Sequence, residues 1–414
     1  MKTEDRPVRV LYSFPHKLGA GRICYTAWQQ VRGLAGAGAE IAVCAGVLHR
    51  AVPSGVRVYT TLSRGKLRIP YKLLGTERAL ALHDYIVSKR IEKLANQIDV
   101  IHAWPGAAKQ TLKAAARSGI PVVLERPNAH TRYAYESVAK ESKRLGITLP
   151  PDNEYAFKPD VLAKEEEEFR MADYLLCPSD FVRKTFLDRG FPPEKLLRHQ
   201  YGYDETAYHP ADRPCRDANP GLTMLFVGDC AVRKGLHFAL DAWLQSAACQ
   251  DGTFLIAGRF LPAYAEKLSA MLNHPSVRVL GFRNDIPQLM RQSDILILPS
   301  IEEGSALVTS DARGSGCVLL VSEAAGAICA HGENALIHSI GDVPTISRHI
   351  TLLHQDRALL ERLRENSLRT THEITWTAAA IRLLNLYREV ANSPRRREAL
   401  LPPARELVAQ KVRQ

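Results

Sequence analysis

The chain has 414 residues, enough for two ordinary domains, because a single hydrophobic core rarely grows past about 250 to 300 residues. Its 46% hydrophobic and 24% charged composition is that of a globular protein, and no apolar run approaches the roughly 20 residues that span a bilayer. The net charge of +11 is uneven: ten Lys/Arg stand against three Asp/Glu between Arg50 and Lys93, and six against two between Pro394 and Gln414. Such a surface suits nucleic acid, an anionic membrane face or a phosphorylated substrate. No RNP-like strand, zinc finger or basic heptad region accompanies it, so nucleic acid is not expected; peripheral contact with an anionic membrane stands beside a solvated face with no partner. The first residues lead into a strand and not into a signal-peptide core, which places the expected location in the cytoplasm, at most at the inner face of the membrane. The eight cysteines are scattered without a Cys-x-x-Cys pair or a histidine at ligand spacing, so reduced core thiols are expected, with no disulfide framework and no zinc site.

In chain order, Val8 to Phe14 reads as a buried strand. It runs into a loop ending Gly19-Ala20-Gly21, a helix from about Arg22 to Ala37 and a strand from Ile41 to Ala45. The loop is a weak dinucleotide signature, because Cys24 replaces the third glycine and no acid ends the second strand. It suits a substrate hydroxyl or phosphate, or a plain tight turn. Ile98 to Trp104 is the next strand, Ala107 to Ser118 a helix, and Pro121 to Leu124 a strand that delivers Glu125 to His130 to the same sheet edge. Two histidines thus emerge near strand ends. Arg126, Arg132 and Tyr133 around His130 supply donors for an anionic or hydroxylated substrate and raise it above His102. Residues 133 to 158 read as polar and irregular. A helix follows from about Pro159 to Met171, with Glu165 to Glu168 expected on its solvated surface. Tyr174 to Cys177 is a further strand.

Residues 205–221, rich in proline, read as a linker, after which the alternation restarts. Thr223 to Val227 is a strand, Gly228 to Gly235 a loop and Leu236 to Ser246 a helix. Phe254 to Ala257, Val277 to Leu280, Ile295 to Leu298 and Val318 to Val321 are strands, each followed by a glycine-bearing or polar turn. Strands alternating with helices predict parallel sheets. The loop Gly228 to Gly235 is not a Walker A loop, since Arg233 and Gly235 flank Lys234 where glycine and Ser/Thr are required. Two adjacent cations after a strand and before a helix suit a pyrophosphate, or are simply exposed. After Ile295 to Leu298 comes Pro299-Ser300-Ile301-Glu302-Glu303-Gly304, then a helix starting at Ser305 or Ala306, with Asp311 about two turns in. A loop carboxylate and free helix N–H groups can face one ligand, the former suiting sugar hydroxyls and the latter phosphate. Residues from about Val343 to Thr371 turn helical, Trp376 begins a last helix, and a basic tail ends the chain.

Phe226-Val227-Gly228 through Lys234-Gly235, Val279-Leu280-Gly281-Phe282, Asp294 to Ser300, and Glu303 to Asp311 followed by Gly314-Ser315-Gly316 together resemble the GT-B-fold retaining glycosyltransferases of family GT4. The resemblance spans nearly the whole chain, from the first strand to Trp376. It implies an α/β chain of two Rossmann-like domains facing across a cleft: an acceptor-binding domain over 1–204, a linker over 205–221 and a nucleotide-sugar-binding domain over 222–374. A helix over 375–392 would pack back on the first domain, followed by a basic tail over 393–414.

The family's Glu-x7-Glu motif falls on Glu303 and Asp311 in this sequence, Glu303 approaching the donor sugar and Asp311 the ribose. The resemblance further implies that Lys234 and Arg233 grip the diphosphate together with the N–H groups of Ser305, Ala306 and Leu307. Gly228 lies in that loop, the Gly281-Phe282-Arg283 loop edges the base, Arg259 joins the donor-binding residues, Gly21 lies near the donor phosphate, and His130 lies near the reacting sugar. The expected activity is transfer from a UDP- or GDP-sugar to a saccharide, lipid-linked or small-molecule acceptor, with neither cofactor nor metal, since no Asp-x-Asp motif is present. A related GT-B epimerase or phosphorylase, and a catalytically silent sugar- or partner-binding module, remain as alternatives.

Overall fold

The computed structural model describes residues 6–64, 67–68, 74–211 and 221–393. The expected basic tail, most of the expected linker including Cys215, and part of the basic stretch between Arg50 and Lys93 lie outside the described residues. The first strands and helices are β1 (Arg9–Leu18), α1 (Ile23–Gly36), β2 (Glu40–Leu48), β3 (Arg57–Thr60), β4 (Ser63–Arg64), β5 (Leu67–Arg68), α2 (Thr76–Leu94), β6 (Val100–Ala103), α3 (Lys109–Ser118) and β7 (Val122–Glu125). Next come α4 (Thr131–Leu145), α5 (Pro159–Met171), β8 (Tyr174–Cys177), α6 (Asp180–Leu187), β9 (Leu196–Arg198), β10 (Thr223–Val227), α7 (Leu236–Leu244), β11 (Thr253–Ala257) and α8 (Pro262–Leu272). The remainder is β12 (Val277–Gly281), α9 (Ile286–Gln292), β13 (Ile295–Leu298), α10 (Leu307–Gly314), β14 (Val318–Ser322), β15 (Ala335–His338), α11 (Val343–Gln355), α12 (Arg357–Arg369) and α13 (Trp376–Asn392). Contacts divide the chain into two compact units, one of residues 1–125, 158–176 and 384–414, the other of 126–157 and 177–383. Among the described residues no helix is long and apolar enough to cross a membrane.

In unit 1 the parallel order is β3-β2-β1-β6-β7-β8. β1 continues through Pro15 to Leu18, past its expected end at Phe14, because the register slips between Phe14 and Lys17 and the proline, which has no N–H to give a ladder, falls at that irregularity. The sheet core holds a buried polar network. The Tyr12 hydroxyl donates to Gln30 (2.5 Å) and accepts from the Trp104 indole (2.9 Å), and Gln30 donates to Glu125 (2.9 Å). His102, fully buried and stacked on Tyr12 at 4.3 Å, lies 2.5 Å from the hydroxyl of Tyr387 on α13. His102 is therefore a core histidine that pins the returning C-terminal helix, which belongs by contacts to unit 1 from residue 384 onward.

Two sequence expectations give way here. Residues 131–145 form α4 and not irregular chain: Ala134, Tyr135, Val138, Ser142 and Leu145 make a buried stripe at helical spacing, His130 caps the start, and Gly146 ends it in the left-handed region at φ 71°. The glutamate run on α5 is not all surface. Glu167 pairs with Lys109 at 2.7 Å, but Glu168 is fully buried and accepts from the N–H groups of Gly106 (2.6 Å) and Ala108 (2.9 Å) in the turn before α3. The first-turn N–H groups of α3 at Gln110 and Thr111 go to Asp84. Farther on, the helical stretch expected over 343–371 is divided in two at Asp356, which caps α12 through the Leu359 N–H at 2.8 Å.

In unit 2 the parallel order is β12-β11-β10-β13-β14-β15. Every residue of β13 is fully buried, which explains its unbroken apolar run. The chain leaves β10 on one side toward β11 and β12 and returns on the other at β13. The loops after β10 and β13 thus flank the point where strand order reverses, the place where open α/β sheets bind ligands.

Burial pushes the Glu168 carboxyl up to about 7 despite its two N–H donors. A folded-state value above the unfolded one means that the protonated form's contribution is complete below the unfolded value and fades as pH rises through the folded one. In urea denaturation, wild type should therefore lose stability relative to Glu168→Gln between about pH 5 and about pH 8. A difference between the two proteins that stays flat over that range would mean the carboxyl is ionised throughout.

Candidate active site

The loop after β10 carries Arg233 and Lys234 in a short 3-10 turn, and the loop after β13 carries Glu302 and Glu303. The two loops meet. Glu303 Oε1 lies 2.7 Å from Arg233 Nη1, pairs with Lys234 Nζ, and accepts from Ser300 Oγ at 3.1 Å. All three charged side chains are largely buried, with side-chain exposures of 14% for Arg233, 12% for Lys234 and 9% for Glu303. Arg233 has further anchors: Nη1 donates to the Glu302 main-chain oxygen at 2.8 Å, and the guanidinium lies over the Tyr155 ring at 5.0 Å. Burial pushes the Glu303 carboxyl up, but the Arg233 and Lys234 cations outweigh it and hold it below the ordinary range. For Lys234 burial prevails over the Glu303 charge and the ammonium is pulled down, whereas for Arg233 the surrounding acids prevail over burial and raise it.

Sequence reasoning missed Glu302. Its side chain is fully buried; Oε1 accepts from the Ala129 N–H at 2.9 Å and Oε2 stands 3.8 Å from Arg233 Nη1. Burial leads the upward shift of its pKa. The available signal was its place one residue after the buried Ile301, in a loop that leaves a wholly buried strand.

Through Glu302 the segment 126–133 is brought against the same loop. Gly304 packs so closely on this segment that a Cβ there would sit 1.5 Å from the Pro127 carbonyl oxygen, and its own carbonyl accepts from Ser179 Oγ at 2.5 Å. Tyr133 donates to the Ile301 carbonyl at 3.4 Å. His130, 2% exposed, caps α4 with Nδ1 accepting from the Arg132 N–H at 3.2 Å, and its ring packs on Phe186. Nδ1 as acceptor leaves the proton of the neutral ring on Nε2. Burial, followed by the charges of Arg126, Arg189 and Arg132, pulls its pKa down to about 2, so the imidazole is neutral near pH 7.

The neighbouring loops on the β10 side are stitched together. The Gly228 N–H donates to Ala257 (3.0 Å), Cys230 to Arg259 (2.8 Å) and Gly258 to Gly281 (2.8 Å). A side chain at Gly258 would meet the Gly228 carbonyl at 1.8 Å, so that packing requires glycine. Phe282 is 62% exposed with the Arg259 guanidinium over its ring at 4.6 Å, an open aromatic platform beyond the Gly228 loop.

Helix α10 begins at Leu307, with Ala306 as its N-cap, so Asp311 lies little more than one turn in, less than expected. The Ala306 N–H, expected among the phosphate donors, is already bonded to the Ala325 carbonyl at 3.1 Å. Those of Ser305 and Leu307 have no partner among the described residues. Asp311 is half-buried and forms no hydrogen bond or ion pair through its carboxylate among the described residues; burial, with Asp204, raises its pKa well above the usual carboxylate range. Gly21 belongs to unit 1, where it is exposed with nothing within 4 Å of where a Cβ would stand.

Residues 221–356, which include both loops, match the family described as glycosyl transferases group 1. Over 121 residues, 29% of this chain and 32% of the relative, the sequence is 31% identical to the N,N'-diacetylbacillosaminyl-diphospho-undecaprenol alpha-1,3-N-acetylgalactosaminyltransferase of Campylobacter jejuni. Over 51 residues, 12% of this chain and 13% of the relative, it is 41% identical to the UDP-Gal:alpha-D-GlcNAc-diphosphoundecaprenol alpha-1,3-galactosyltransferase of Escherichia coli. These matches span less than half of the curated relatives' own length. The fold extends further than the sequence likeness. HepE of Anabaena, solved with UDP and glucose, superposes with a TM-score of 0.62 at 17% identity over 92% of this chain and 100% of its own. Sucrose-phosphate synthase of Thermosynechococcus elongatus gives 0.68 at 17% identity over 93% and 99%. The chain thus has two parallel-sheet α/β domains of the GT-B type.

Gly304→Ala should destabilise unit 2 by about 3 kcal/mol or more, because the obstructing atom is backbone. Gly36→Ala, in exposed helix with nothing within 4 Å of the new Cβ, should stabilise by about 0.5 to 1 kcal/mol. Urea denaturation midpoints compare the two, and equal midpoints would mean that the 302–304 loop is not pressed on Pro127.

Proposed function

We propose that this chain, whose residues 221–356 are a group 1 glycosyltransferase domain, transfers a sugar from a nucleoside-diphosphate sugar to a saccharide or lipid-linked acceptor, with retention and without a metal. The observation that carries this reading is the meeting of Arg233, Lys234 and Glu303 at the strand-order reversal of a parallel sheet. The bond between the sugar's anomeric carbon and the diphosphate breaks through an oxocarbenium-like state, and negative charge gathers on the leaving phosphate. Arg233 and Lys234, with the N–H groups of Ser305 and Leu307, are fixed where that charge develops, and two buried cations supply the stabilisation that a metal supplies elsewhere. Glu303 Oε2, which has no hydrogen-bond donor among the described residues, is available to a sugar hydroxyl. The neutral His130 suits a hydrogen bond to the sugar and not proton transfer, as Nε2 carries the proton and the pKa is far below working pH. Phe282 offers the base a stacking face and Asp311 offers the ribose a carboxyl. Retention follows from acceptor attack on the face the phosphate leaves.

The names of the two bacterial relatives, both with a diphospho-undecaprenol carrier, and the UDP held by HepE support a UDP-sugar donor and a lipid-linked acceptor for this chain as well. A lipid-linked acceptor accords with peripheral contact between the basic stretch around Arg50 to Lys93 and an anionic membrane.

A panel of UDP- and GDP-sugars with purified protein tests the proposal: at least one should be transferred or slowly hydrolysed, unaffected by EDTA. Lys234→Ala should lower kcat/KM for that donor by roughly 10² to 10³. Undiminished turnover in the variant would remove Lys234 from the site, and no turnover with any donor would leave a sugar-binding module.

A further inference from the structure

Arg233 and Lys234 face the same carboxylate oxygen, yet they are not held alike. Besides Glu303, Arg233 has the Glu302 main-chain oxygen at 2.8 Å, the Glu302 carboxylate at 3.8 Å and the Tyr155 ring at 5.0 Å. For the Lys234 ammonium, Glu303 is the only side-chain partner among the described residues. The sole carboxylate on Lys234 is thus one that the proposed reaction assigns to the donor sugar.

We propose that Glu303 is an internal substitute for the donor diphosphate: it neutralises Lys234 until a diphosphate takes the ammonium, and that exchange frees Glu303 Oε1 to turn to the donor sugar. The proposal rests on the diphosphate reading of the Arg233-Lys234 loop. A cation this enclosed requires a counter-charge at all times, because an uncompensated buried ammonium is strongly disfavoured. A phosphate oxygen meets the same need with a larger charge and more acceptor sites. Glu303 cannot use Oε1 fully on a sugar hydroxyl while that oxygen holds Arg233, Lys234 and Ser300 together. The carboxylate that recognises the sugar therefore becomes fully available only when the diphosphate is seated, which orders recognition as diphosphate first and sugar second. Arg233, tethered by Glu302, is the part of the cradle that stays in place during the exchange.

Isothermal titration of inorganic pyrophosphate, UDP and GDP into wild type, Glu303→Gln and Lys234→Met tests this. Glu303→Gln removes the competing charge at nearly constant shape, so at least one of these ligands should bind it roughly tenfold tighter than wild type, while transfer falls; Lys234→Met should bind more weakly than wild type. If wild type binds and a folded Glu303→Gln binds equally or less tightly, the substitution idea is overturned and the diphosphate reading stands. If neither wild type nor Glu303→Gln binds any of the three, both are overturned. A crystal structure of wild type with pyrophosphate guards against a misfolded variant: Lys234 Nζ on a phosphate oxygen and parted from Glu303 supports the exchange, and an unbroken Lys234–Glu303 pair overturns it.

Discussion

Unit 2 is organised around the joint burial of two cations and two acids, Arg233, Lys234, Glu302 and Glu303, where the loops after β10 and β13 meet. Removing one member of such a group leaves an uncompensated charge and costs about 3 to 5 kcal/mol, so the group tolerates little rearrangement. This constrains the surrounding backbone. Gly304 must lie against Pro127, and the Ile301 carbonyl meets the Tyr133 hydroxyl. Glu302 Oε1 takes the Ala129 N–H, which offsets part of the cost of burying the carboxylate. The contact that groups 126–157 with unit 2 is thus in part electrostatic, made by a residue that touches the proposed donor cations and the proposed acceptor-side segment at once.

The same strand order appears in unit 1, where the polar groups are spent on the protein itself. Tyr12, Gln30, Glu125 and Trp104 satisfy one another in the core, and His102 binds Tyr387 on α13. A histidine at the end of a parallel strand can serve a ligand or hold a helix. Here burial decides for the helix, because His102 is fully enclosed among aromatic rings, the Tyr387 phenol and the buried Glu125 carboxylate, 3.5 Å from Nε2. The result is that the last helix is tied to unit 1 by a specific polar contact as well as by apolar packing.

The alternation of strand and helix was legible because buried parallel strands are short apolar runs closed by glycine or proline, as in Ile295–Leu298 before Pro299. Arg233, Lys234 and Glu303 were legible for the same reason: each stands in a turn just after such a run. Glu302 and Glu168 were not, because an acid beside other acids has the composition of a solvated surface, and only the packing reveals which one turns inward. Glu168 does so next to the buried Phe169, where the N–H groups of Gly106 and Ala108, in the turn before α3, need an acceptor. Helix α4 was hidden by its charge. Its apolar stripe of Ala134, Tyr135, Val138 and Leu145 is narrow, and the surrounding lysines, arginines and glutamates dominate the reading of the segment. The break at Asp356 turns on a single capping hydrogen bond, too local a feature to separate from a continuous helical pattern.

The two acids of the Glu-x7-Asp spacing have opposite electrostatics. Glu303 is held in its charged form by two cations, so whatever it contacts meets a full negative charge. Burial, with the charge of Asp204 behind it, favours the protonated form of Asp311, which has no ion-pair partner among the described residues. A folded-state value raised in this way makes its protonated form's contribution to stability complete at low pH and lost as pH rises through that value. A protonated carboxyl donates one hydrogen bond and accepts others, whereas a carboxylate only accepts. A cis-diol is fully satisfied by a group that both donates and accepts, which is what a protonated carboxyl would offer in the ribose contact proposed for Asp311. In the proposed site, then, the two buried cations stand with Glu303, and the proposed ribose contact at Asp311 relies on hydrogen bonding and not on charge.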